Sequence, residues 1–261
     1  MVDIILNFKK LLLGFAVMFL IVGCGGPDRS SNLIVIDAGH GGHDSGAFSG
    51  GKKEKDLVLQ ITKKLYKELR SDGYRVYLTR NTDRFLKLGQ RTRIADHKDA
   101  KVFISIHANA IADKSRFSAV EGVETYFLQK TRDARSQRIA RRENASVLQG
   151  TDKISRDVIV DSVLSGPKII HSHKLAIDVQ NSIMKNLKRG YSNVRDGGVK
   201  PGPFYILVGA SRPSILVEVG YLTNPKERAR LFTSDYQKRI AKGITEGVGR
   251  YLDNRKNQQG F

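Results

Sequence analysis

Three apolar, β-rich runs in this chain end on side chains that ligate metals or move protons. Leu33-Ile34-Val35-Ile36 breaks into Asp37-Ala38-Gly39-His40-Gly41-Gly42-His43. No regular element tolerates that much glycine, so a strand ends there and leaves His40 on a tightly folding backbone. Residues 101–107, KVFISIH, end on His107, and residues 214–218, SILVE, end on Glu218. A fourth ionisable group, Glu54, stands where an amphipathic helix begins. Two neutral imidazoles and one carboxylate suit zinc, whose catalytic sites keep a further position open for water. His40, Glu54 and His107 are thus the candidate metal ligands. Glu218 is the candidate proton carrier, because a carboxyl buried at a strand end has a raised pKa and can pass a proton from water to a leaving nitrogen. The plainer readings stay open. A histidine after a strand is commonly structural, and the helix macrodipole alone favours a carboxylate at Glu54.

Convergence of these groups needs three parallel, neighbouring strands whose carboxyl ends share one rim, the place where open α/β sheets hold ligands. The intervening pattern supplies the connections. Leu57, Val58, Ile61, Leu65 and Leu69 follow helical spacing up to Ser71-Asp72-Gly73, and residues 74–79 read as a second strand. That makes a βαβ unit with a right-handed crossover. A helix over 88–97, a strand over 101–107 and a strand over 120–128 follow, the last at or near a sheet edge. Residues 174–189 form an amphipathic helix, residues 204–208 and 214–219 two more strands, and 225–232 and 236–252 the closing helices ahead of a polar tail. The pattern predicts an α/β fold: a mixed, mostly parallel sheet of about six strands with helices on both faces. One catalytic domain spans 33–254, and the tail spans 255–261.

Lys130, Arg132, Arg135, Arg138, Arg141 and Arg142 crowd one short stretch. It reads as a basic helix over 134–148 within an insertion over 130–170, after the fourth strand. A solvated insertion, a wall- or lipid-binding arm and a lid over the site all fit that composition.

The amino terminus has its own logic. Lys9-Lys10 precede the apolar run 11–22, and Gly23-Cys24 follows. A basic flank, an apolar core and small residues at the cut describe a secretory signal over 1–23. Ile21-Val22-Gly23-Cys24 resembles the bacterial lipobox, which implies cleavage before Cys24 and lipidation of its thiol, with 24–32 as a tether. The address is then the cell envelope: lipid-anchored and, in a Gram-negative cell, periplasmic at the outer membrane. An uncleaved anchor and an incidental cysteine are the simpler alternatives. The formal charge of +19 favours a polyanionic partner. Outside the cytoplasm an anionic wall polymer or phospholipid headgroup is the natural candidate rather than nucleic acid, and a solvated basic surface is the equal alternative.

Five stretches in order carry a resemblance: IVIDAGHGGHDSGA, KEKDLVL, FISIHANA, EGVETYFL and ILVEVGYLTNP. The series resembles the zinc-dependent N-acetylmuramoyl-L-alanine amidases, a family of peptidoglycan hydrolases, from Leu33 to about Leu252. The resemblance implies that His40, Glu54 and His107 bind Zn2+ and that Glu218 is the catalytic carboxylate. It implies hydrolysis of the amide between N-acetylmuramic acid and the L-alanine of the stem peptide. It also implies that the insertion covers the metal until an activator protein withdraws it, with Glu143 as a plug reaching the ion. A pairing of Glu143 with an arginine one turn away is the bland alternative, weakened because Ile139 and Val147 hold those positions. Asp37 is expected either to orient His40 or to cap the glycine turn. Asp96 stands where relatives often carry Asn. His43 is either an alternate ligand, a supporting group or solvent-exposed, with exposure favoured. His97 sits at a helix end, where a cation suits the dipole. His171 and His173 could chelate metal, but their place at a helix start reads as surface. Rival functions are a zinc peptidase or deacetylase of the wall, and a non-catalytic wall-binding lipoprotein.

Overall fold

The computed structural model describes residues 29–145 and 166–259. The signal segment, Cys24 and most of the tether lie outside these residues, as does the second half of the insertion. Among the described residues no helix is long and apolar enough to cross a membrane.

The chain opens with β1 (Leu33–Ala38), passes a small hairpin of β2 (Phe48–Ser49) and β3 (Lys52–Lys53), and enters α1 (Glu54–Ser71). Next come β4 (Arg75–Leu78), α2 (Leu88–His97), β5 (Val102–Asn109) and β6 (Val123–Leu128). The insertion begins with α3 (Ala134–Glu143), and α4 (Gly166–Lys188) leads out of it. The last elements are β7 (Asp196–Gly202), α5 (Tyr205–Val208), β8 (Ser214–Tyr221), α6 (Pro225–Leu231) and α7 (Ser234–Gln259).

Six strands form one sheet in the order β4-β1-β5-β8-β6-β7. All neighbours are parallel except β8 and β6. The three strands that carry His40, His107 and Glu218 are therefore adjacent and parallel, as the site requires. Strand alternation assigns the faces. Ile34 and Ile36 of β1, with Ile104 and Ile106 of β5, pack under α1, α4 and α7. Val35, Phe103 and Leu216 point the other way, towards α2, α3 and α5. His107 and Glu218 share that second face.

Two expectations are corrected. Residues 204–208 form no strand: Tyr205–Val208 is the short helix α5. A brief apolar run carries no period that separates strand from helix, and here Asn144 Oδ1 accepts a hydrogen bond from the Tyr205 N–H at the helix start. The sixth strand is instead β7, whose DGGVKPG composition hides it; proline is tolerated there because β7 is an edge. The closing helix also runs on to Gln259, through the stretch read as a polar tail. Asp96 Oδ1 accepts from the Ser211 N–H and hydroxyl at 2.9 and 2.8 Å, tying α2 to the approach to β8.

Candidate metal centre

β1 stops at Ala38, and His40 then adopts a φ of +58°. A non-glycine residue holds that left-handed conformation only where its surroundings fix it. Two buried arginines do so. Arg80 donates to the carbonyls of Ala38 and Gly39 at 2.9 and 2.7 Å. Arg91 donates to those of Ala38 and His40 at 2.6 and 2.7 Å. Arg91 also pairs with buried Asp37 at 2.9 Å, and the Asp37 carboxylate accepts from the hydroxyls of Thr79 and Ser105 at 2.5 and 2.8 Å. Burial pushes the Asp37 pKa up, but Arg91 and the two hydroxyls prevail and hold it below the usual carboxylate value.

Asp37 does not orient the His40 ring. The β1 pleat turns its short side chain towards Ser105 and Arg91, so it acts on the loop backbone through Arg91. The ring partner is Asp44, whose Oδ2 lies 2.9 Å from His40 Nδ1. That contact leaves Nε2 as the atom facing the site. Arg80, Arg91 and Asp44 were not singled out from the sequence. Asp44 had a signal: it stands four residues after His40, inside the turn. Arg80 follows two residues after β4, the strand beside β1, on the same rim, which was a weaker one.

Glu54 is the first residue of α1. Its Oε2 accepts from the Ala47 N–H and its Oε1 from the Ala108 N–H, both at 2.8 Å. Glycine is needed twice for this close approach. A Cβ on Gly39 would come within 2.4 Å of the His107 ring, and one on Gly46 within 2.6 Å of both Glu54 and His40. His107 pairs in register with Glu218, and Glu218 with Glu124 of β6, so three ionisable groups form a row across the sheet.

The four candidate ligand atoms converge. His40 Nε2 lies 3.1 Å from Glu54 Oε1 and 3.2 Å from Glu143 Oε2. His107 Nδ1 lies 3.2 Å from Glu54 Oε1 and 2.9 Å from Glu143 Oε2. One donor atom from each residue falls within 4.8 Å of all the others. Yet His40 Nε2, His107 Nδ1 and Glu143 Oε2 are buried without a hydrogen-bond partner. They aim at a shared point and not at one another. A buried polar atom left unsatisfied costs about 1–3 kcal/mol, and a divalent cation at that point would satisfy all of them. The donor set, imidazole nitrogens with carboxylate oxygens, is one zinc accepts.

The electrostatics agree. Burial would depress both imidazoles. The carboxylates override it, lifting His107 to about 9, chiefly through Glu143, and His40 well above its ordinary value, chiefly through Glu54. Burial opposes ionisation of Glu54 and Glu143 too, but His40 holds Glu54 low, and Arg142 with His107 holds Glu143 low. Glu218 is the exception. Burial, and then the Glu143 charge, push it well above the carboxylate range. Neither of its oxygens has a hydrogen-bond partner, and the nearest cation, Arg142 Nη2, is 3.7 Å from Oε1.

Glu143 ends α3 inside this cluster. Its second oxygen accepts from Arg142 Nε and Nη2 at 2.8 and 2.5 Å, so its arginine partner is its chain neighbour and not a residue one turn away. At the opposite end of α3, Arg135 pairs with Glu124 at 2.6 Å. None of the other histidines joins the cluster. His43 is exposed and lies against the Phe85 ring, centroids 4.1 Å apart; His97 is exposed; His171 faces Tyr251 and His173 stacks on Phe127.

Sheet, rim and carboxylate-flanked donor set together define an α/β enzyme with a candidate metal centre. The family model for N-acetylmuramoyl-L-alanine amidase matches residues 34–250, and the chain belongs to that family. It is 33% identical to N-acetylmuramoyl-L-alanine amidase AmiA of Escherichia coli, over 86% of this chain and 78% of AmiA. Among solved structures it resembles the amidase of Clostridium difficile 630, with a TM-score of 0.66 and 30% identity, covering 87% of this chain and 99% of that one. It also resembles the CwlD amidase of Clostridioides difficile, solved in complex with the GerS lipoprotein, with a TM-score of 0.61 and 29% identity over 85% of this chain and 99% of that one.

Proposed function

We propose that this chain is a zinc-dependent amidase that cleaves the bond between N-acetylmuramic acid and L-alanine in peptidoglycan. The observation that carries this is the meeting of His40 Nε2, His107 Nδ1 and Glu54 Oε1 at one point, with Glu218 in register beside His107. These three residues would hold the ion, which supplies Lewis acidity to acidify water and polarise the scissile carbonyl. The chain's own groups supply the rest. Asp44 keeps His40 in the tautomer that presents Nε2. Glu218, buried and without a hydrogen-bond partner, takes the proton from the attacking water and gives it to the L-alanine nitrogen as the C–N bond breaks. Its raised pKa suits that return step.

Glu143 contributes a fourth donor and fills the position that substrate or water needs. In this reading α3 is an autoinhibitory lid, and activity requires its carboxylate to leave. A partner protein that shifts α3 enough to withdraw Glu143 would be an activator; the CwlD structure with its lipoprotein partner supports looking for one. Lipidation at Cys24 would place the enzyme in the cell envelope, and wall remodelling at daughter-cell separation is the fitting role.

Product analysis tests the reaction. An amidase releases stem peptides with a free L-alanine amino group and leaves the glycan strands intact. Peptides cut between stem residues, or released acetate, would assign the chain to the peptidase or deacetylase reading.

A further inference from the structure

The arginines of α3 outnumber the carboxylates that hold it down. Arg135, Arg138 and Arg142 follow at i, i+3 and i+7 and form one stripe, with Arg141 beside it. Like charges at such spacing repel and weaken a helix. The stripe lines a cavity of about 610 Å3, and Arg116, from the segment after β5, lines it too. Asp113 is the sole acidic residue of the lining, and its carboxylate is engaged by the Ser115 N–H and hydroxyl. Arg116, Arg138 and Arg141 are exposed, and no carboxylate pairs with them among the described residues. Ile111, Ile139 and Val120 add an apolar wall.

The inner end of this cavity meets the reaction centre. Arg142 lines it and stands 3.7 Å from Glu218. Tyr221 lines it too, holding Arg135 through its hydroxyl at 2.6 Å. The volume falls in the range of roughly 300–1,000 Å3 that takes small ligands, enough for a few peptide residues and too little for a wall polymer. Guanidinium forks match carboxylates in a bidentate way.

We propose that this groove is the subsite for the free carboxylates of the stem peptide, the leaving half of the substrate. The proposal rests on the amidase reading and deepens it. The L-alanine nitrogen must lie beside Glu218, so the peptide that follows it runs outward along the arginines. Arg142 belongs to both arrangements. It now grips Glu143, and a substrate carboxylate entering the groove competes for the same guanidinium. Substrate recognition and release of Glu143 are thereby linked.

Binding tests this without turnover. Full-length Glu218→Gln protein, loaded with zinc, is titrated calorimetrically with a stem tripeptide bearing free carboxylates, and with the same peptide amidated at each carboxylate. The acidic peptide is expected to bind about tenfold more tightly, the sum of three modest exposed ion pairs, with the preference shrinking as salt rises. Adding Arg116→Gln, Arg138→Gln and Arg141→Gln together should bring the two affinities together, and three Arg→Lys changes should restore part of the gap. Equal affinity for both peptides, or a preference that survives the triple Gln variant, overturns the proposal. Neither result touches the amidase reading, which stands or falls on the released products.

Discussion

The site has two halves built in different ways. His40, Glu54 and His107 rest on a frame whose supporting charges are buried: Asp37 and Arg80 at 0% exposure, Arg91 at 1%. Glu143 arrives on α3, whose tethering arginines are partly open to water: Arg135 and Arg142 side chains are 36% and 31% exposed. Breaking a buried charge pair by removing one partner costs about 3–5 kcal/mol. The α3 pairs join a half-open arginine to a buried carboxylate, Glu124 or Glu143, and fall between that figure and the roughly 1 kcal/mol of a fully exposed pair. The frame is therefore held more tightly than α3, whose arginines reach water. A preorganised cradle with a carboxylate held on a more exposed helix is what an enzyme kept inactive until needed requires.

Loss of a ligand from the frame has the largest expected effect. His107→Ala should abolish both zinc retention and wall hydrolysis, read by metal analysis and turbidity loss on the same sample. Glu218→Gln should separate the two, keeping zinc while turnover falls on the order of 10²–10⁴-fold. Loss of zinc in that variant would mean Glu218 is a ligand and not a proton carrier.

Asp37→Asn should cost about 3–5 kcal/mol in urea unfolding, because it leaves Arg91 buried and unpaired. The pH dependence has a definite sign. The folded pKa of Asp37 lies below its ordinary value, so its contribution is full above about pH 4 and is lost as the pH falls through the lower folded value. Equal acid sensitivity of wild type and Asp37→Asn would detach this residue from the frame. Next in size, Asp44→Asn should weaken zinc binding about 10–100-fold by freeing the His40 tautomer, measured against a competing chelator.

The smallest effect belongs to α3. Glu143→Ala should raise turnover severalfold; removing residues 135–150 should do the same, at a cost in stability because buried Ile139, Ala140 and Asn144 go with it. Unchanged or reduced turnover would remove the lid. The deletion should also erase the preference for acidic stem peptides, which separates a helix that only blocks from one that also recognises.

Much of the frame was legible in the sequence because it lies at strand ends. Apolar runs stopping at His40, His107 and Glu218 announce both the element and the exposed rim, and the sheet order makes them neighbours. The supports were harder to read. Arg91 looks like a solvent residue of a short helix, and only the fold shows it buried under the glycine loop. Asp37 was picked for its place beside His40, but strand alternation, not sequence distance, decides what it touches. β7 was missed because glycine and proline mask an edge strand, and α5 was misread because five apolar residues have no usable period.

Chelator-stripped protein, assayed on purified peptidoglycan before and after one equivalent of zinc is returned, addresses the central idea most directly. Hydrolysis should fall to background when the metal is removed and recover when it is restored, while the His40→Ala protein stays inactive throughout. Full activity with no detectable metal would contradict the account.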